Sequence, residues 1–173
     1  MTRRLSLTIA WGATALLILL PLAALYGLAN LEAFANLARD EWDLPVQWAT
    51  VTESQWYGLW ALMVAYLAIG ALGLYFLRRA FLNFAAGELF NGANSRDLKR
   101  FSGLLLLQAC AMPLYVGLAS LLLSMNHPPG EAFLSLSFGS NEVKAIAVGL
   151  VLWVLSDLLV EGARLQQENR QFV

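Results

Sequence analysis

The sequence predicts an all-α membrane protein with four transmembrane helices and both termini in the cytoplasm. Three observations carry this. The 173 residues are 59% hydrophobic and 13% charged, with a mean hydropathy of +0.61, whereas a soluble domain carries about 25% charged residues. Four apolar runs, Leu5–Leu28, Tyr57–Leu77, Gly103–Met125 and Val143–Val160, are each long enough to cross a hydrocarbon core of about 30 Å at about 1.5 Å per residue. Finally, nine of the 11 Lys and Arg residues fall on one side of those runs. The length suits a single four-helix domain over residues 1–173, packed as a four-helix bundle.

Arg3 and Arg4 precede the first span and anchor it. Its apolar stretch exceeds the 7–15 residues of a signal-peptide core, so an uncleaved helix is expected. Ser6 stands where a twin-arginine export signal places a large apolar residue. The following connection places Leu31, Phe34, Leu37 and Ala38 on one helical face, then alternates weakly over Val46-Gln47-Trp48-Ala49-Thr50-Val51-Thr52. Trp42, Trp48, Trp56 and Trp60 cluster there, as indoles do at a membrane interface.

Between spans two and three lie Arg78, Arg79, Arg96, Lys99 and Arg100. Phe81, Phe84, Ala85 and Leu89 extend the second helix as far as Gly87, Asn91-Gly92 marks a turn, and Asn94 or Ser95 caps the next helix. This basic connection suits equally a loop touching anionic lipid headgroups and a functional segment. The third span carries Ala109, Pro113, Gly117, Ser120 and Ser124 at steps of three and four, a stripe for helix packing, with Pro113 expected to kink it. Ala61, Ala65 and Ala68 in the second span and Ala145, Gly149 and Ser156 in the fourth make matching stripes.

After Asn126-His127-Pro128-Pro129-Gly130, the apolar residues Leu134, Leu136 and Phe138 alternate with serines, which predicts a short strand. Paired with residues 46–54, it would form a small β cap over the outer face. Arg164 and Arg170 follow the fourth span, so the two termini and the middle connection are expected inside. Arg39, Lys144 and seven acids (Glu32, Asp40, Glu41, Asp43, Glu53, Glu131 and Glu142) are expected outside.

Two intramembrane polar residues stand out. Gln108 is expected to hydrogen-bond a neighbouring helix. Asp157 is an ionisable group within an apolar run, and Glu161, Arg164 and Glu168 continue its face. Arg78 and Arg79 are its expected charge partners, pinning the fourth helix to the connection. No catalytic, cofactor or metal site is expected. His127 has no second His or Cys in reach, Cys110 suits a packing role, and no Walker A, G-x-S-x-G or H-E-x-x-H motif occurs.

Gly87-Glu88-Leu89-Phe90-Asn91-Gly92-Ala93-Asn94-Ser95-Arg96-Asp97-Leu98-Lys99-Arg100, the Phe-Leu-Ser-Leu-Ser-Phe segment and Glu161-Gly162-Ala163-Arg164-Leu165-Gln166-Gln167-Glu168-Asn169 resemble a bacterial family of small four-span membrane proteins. That family is known only as a domain of unknown function. The resemblance implies an inner-membrane location and a small helix-turn-helix regulator encoded alongside. This chain closes on Arg170-Gln171-Phe172-Val173, where the family has a more acidic tail.

The expected role is non-enzymatic: a membrane component that binds a protein partner or a second copy of itself through Glu88, Asn91, Asn94 and Arg96 of the connection and Asp157, Glu161, Arg164, Gln167 and Glu168 of the last helix and tail. The lipid bilayer is the other partner, and no nucleic-acid binding is expected at a net charge of −1. The alternative is a small transporter or channel component with a polar path near Asp157 and Gln108.

Overall fold

The computed structural model describes residues 2–41, 44–87 and 92–170. They form α1 (Thr2–Ala29), α2 (Leu31–Glu41), a 3-10 turn (Trp48–Thr50), α3 (Glu53–Ala85), α4 (Gly92–Ser124) and α5 (Ser140–Arg170). Helices α1, α3, α4 and α5 are each long and apolar enough to cross a membrane. In hydrocarbon an unpaired backbone amide finds no water, so such runs must satisfy their hydrogen bonds within themselves. Helices α1 and α4 run unbroken through Pro21 and Pro113.

The spans are antiparallel. Trp60 Nε1 donates to the Ala24 carbonyl at 2.8 Å near one end of α1 and α3, and Arg78 meets Thr14 toward the other. Gly58 faces Leu122 and Gly73 faces Phe101 across α3 and α4, while Gly149 faces Leu106 across α4 and α5. One end therefore carries the start of α1, the end of α3, the start of α4 and the end of α5, and is termed the terminal face. The other, the loop face, carries residues 30–41, 44–52 and 125–139.

The four spans of the expected bundle are laid out in chain order. Helix α1 packs on α3, α3 on α4 and α4 on α5, and no other pair of these four spans is in contact among the described residues. The spans stand side by side as an open row. Small residues set the approach: Gly70 receives the Gln108 side chain, Gly103 lies against Trp153, and Ala80 is fully buried. Lipid tails cover the remaining apolar faces at no hydrophobic cost, so nothing in the solvent forces the row to close.

On the loop face, α1 bends at Asn30, whose side-chain amide donates to the Tyr26 carbonyl at 3.1 Å, and α2 begins. Ala35 and Ala38 are buried, with Leu31 and Phe34 packed beside them. Leu37 lies outside this face, 67% exposed, because the buried stripe follows steps of three and four through residue 35. Val46, Trp56, Leu59, Ala119 and Leu123 complete the cluster. Trp56 is thus a core residue rather than an interfacial anchor. Trp48 stacks on it at 6.0 Å and Arg39 covers it at 5.4 Å. Trp42 lies outside the described residues.

The β cap does not exist: residues 46–54 and 132–139 contain no strand. Residues 48–50 coil into the 3-10 turn, and at Thr52 a reciprocal capping box with Gln55 starts α3 before a strand can lengthen. The 132–139 segment finds its partners on α4 instead. Phe133 N–H donates to Ser124 Oγ at 3.2 Å and Ser135 N–H to Ser120 Oγ at 2.8 Å. Leu134 and Leu136 lie over Gly117. The stripe Gly117, Ser120, Ser124 therefore seats the irregular 133–136 segment rather than a helix.

Candidate functional site

Helices α3 and α4 have 33 residues each, about 50 Å at the helical rise, so they outrun a hydrocarbon core of about 30 Å by several turns. The excess lies on the terminal face and is packed there around polar groups. Asn94, Ser95, Asp97 and Ser102 are at most 1% exposed. Asn83 Nδ2 donates to Asn94 Oδ1 at 2.6 Å, joining α3 to α4. Ser102 donates to the Lys99 carbonyl at 2.9 Å.

Asp97 is the electrostatic centre of this layer. Arg79 Nε stands 3.1 Å from its Oδ2 and Arg100 3.6 Å from its Oδ1. A buried carboxylate is costly unless paired, and here two cations that reach water bridge it to both helices. The two guanidinium groups also lie over aromatic rings, Arg79 over Tyr75 at 5.8 Å and Arg100 over Phe76 at 5.2 Å.

The last helix joins through Asp157. Its partner is Lys99, 2.7 Å from Oδ1, and not Arg78 or Arg79. The reason is the order of the row: among the described residues α5 packs on α4 and on no other helix, which puts the α3 arginines out of reach. Lys99 also lies 4.9 Å over the Trp153 ring. Arg79 serves Asp97, while Arg78 Nε donates to Thr14 Oγ1 at 2.8 Å, tying α3 to α1.

The sequence-nominated residues separate into three groups. Asn94 is a buried link inside the layer and not a helix cap, since α4 already begins at Gly92. Arg96, Asp157, Glu161 and Arg164 are exposed around it, with Glu161 and Arg164 at 3.9 Å from one another on α5. Glu88 and Asn91 fall outside the described residues, as do the side chains of Gln167 and Glu168. Lys99, Asp97 and Asn83 are the contributors that sequence reasoning missed. Asp97 passes for an ordinary first-turn acid in the sequence, and only the helix pairing shows that it is buried.

Gln108 reaches Tyr66 across the α3/α4 seam and closes over Gly70, and Tyr66 stacks on Tyr115 at 5.0 Å. Asp157 belongs to the other seam, α4/α5, so these two polar residues do not share one path. Cys110 faces outward from α4 instead of packing within the row. His127 accepts the Gln47 N–H on Nε2 at 3.0 Å, and Gln47 Nε2 donates to Glu131 at 2.6 Å, which fastens the two loop-face connections together. No group of three His, Cys, Asp or Glu suited to a metal gathers among the described residues.

A family model described as "Protein of unknown function (DUF2975)" matches residues 13–172. Neither a curated protein nor a solved structure matches the chain.

Proposed function

We propose that this chain, which belongs to the DUF2975 family of proteins of unknown function, is a non-enzymatic component of a bacterial inner membrane that docks a protein partner on its terminal face. The carrying observation is the polar layer beyond the apolar band, where Asn94 and Asp97 are sealed between α3 and α4. Such a layer holds neighbouring exposed charges in fixed positions, so a partner pays little ordering entropy on meeting them. Arg96 on α4 and Glu161 on α5 project from helices that the Lys99–Asp157 pair ties together. Charges of both signs on a rigid frame favour a specific partner over general adhesion to anions.

The orientation follows from charge. Nine cations belong to the terminal-face side, so that face is cytoplasmic under the positive-inside rule. A transport path through Asp157 and Gln108 draws less support, because the two side chains sit in different seams and each is engaged by a neighbour.

The test is co-purification from native membranes. Wild type is expected to bring down a defined partner, the charge-reversed R96E/E161K variant to lose it, and E32K, altered on the loop face, to retain it. Equal capture by all three, or no partner with any, refutes docking on this face.

A further inference from the structure

We propose that Arg78, held by Thr14 at the α1/α3 seam, is a binding site for the phosphodiester headgroup of an anionic phospholipid. The charges at this level of the row are unequally matched. Arg79 and Arg100 share Asp97, and Lys99 has Asp157. Arg78 has only a neutral hydroxyl, and no carboxylate pairs with it among the described residues. The start of α1, about 15 Å of helical rise from Thr14, adds the exposed Arg3 and Arg4, with no acid in its first turn. The α1/α3 side of the terminal face is therefore cationic throughout its described residues, while the α4/α5 side mixes both signs.

Depth and geometry specify the ligand. Twenty residues of helix from Tyr57 cover about 30 Å and end near Leu77, which leaves Arg78 at the hydrocarbon edge. Its guanidinium lies in the α1/α3 seam, beside the Thr14 hydroxyl. The Thr14 hydroxyl donates to the Ala10 carbonyl at 2.8 Å, so it meets Arg78 Nε as an acceptor and fixes the guanidinium plane. The two terminal nitrogens then offer a planar fork that fits two oxygens of one phosphate. A half-buried cation at this depth lacks bulk water, and a lipid phosphate drawn to the edge is the anion within reach.

Native mass spectrometry of the full chain tests this, comparing retained phosphatidylglycerol with phosphatidylcholine. Wild type is expected to favour phosphatidylglycerol, R78Q to lose about tenfold of that preference, and T14V, which keeps shape but removes the acceptor, about threefold. K99Q, two seams away between α4 and α5, is expected to leave it unchanged. T14V serves alone if R78Q does not purify as a single species. Retention unchanged in T14V, an equal loss in K99Q, or displacement of the lipid by millimolar inorganic phosphate would each overturn the proposal, the last by showing a free-anion site.

Discussion

Replacing Ser120 with alanine removes one fully buried hydroxyl and leaves the Ser135 N–H without its acceptor. The Gly117 carbonyl also loses a donor at 2.9 Å, but as a helical carbonyl it keeps its backbone bond. The cost is therefore that of one unsatisfied amide, about 1–3 kcal/mol for a buried donor, and nearer the lower end because Ser135 is only half-buried. A value near 1.4 kcal/mol corresponds to about tenfold faster exchange of that amide through local opening. Ser124→Ala acts on Phe133 in the same segment, so the double variant should fall short of the summed effects, the neighbours being coupled. Hydrogen exchange of residues 131–139 in nanodiscs, beside an unfolding titration, reads both numbers. Unchanged exchange in the double variant would refute the hydroxyl anchoring and leave Leu134 and Leu136 over Gly117 as the hold.

Gly149→Leu should part α4 from α5 and cost about 1–3 kcal/mol, since a Cβ there meets Leu106 at 2.8 Å; Gly12→Leu, with open space around it, should not, and detergent unfolding midpoints compare the two. Lys99→Met and Asp157→Asn should each lower stability by less than about 1 kcal/mol, because both side chains are 41% or more exposed, with a coupling visible in a double-mutant cycle. Glu161→Ala with Arg96→Ala should show no such coupling, as Glu161 faces Arg164. A C-terminal green fluorescent protein fusion should glow while an alkaline phosphatase fusion stays inactive, and the reverse result would invert the assigned orientation.

The spans were legible because apolar length is a direct consequence of bilayer thickness, and α2 because its apolar residues recur at helical steps. Their arrangement was not. The stripe Gly117, Ser120, Ser124 announces close backbone approach without saying whose backbone, and the answer is residues 133–136. For Asp157 the sequence supplied several cations at one depth, and choosing Lys99 required knowing that α4 is the one helix on which α5 packs among the described residues. The alternation at residues 133–138 predicts a strand that does not form, because serine hydroxyls of α4 supply the acceptors that a partner strand would have offered.

Photo-crosslinkers placed at Arg96, Glu161 and Asn126 in native membranes test the docking face most directly. Adducts of one common mass at positions 96 and 161, absent at 126 and lost when Asp97→Ala breaks the buried layer in a chain that still inserts, are the predicted result. Adducts at 126 alone, or adducts at 96 and 161 indifferent to Asp97, would contradict it.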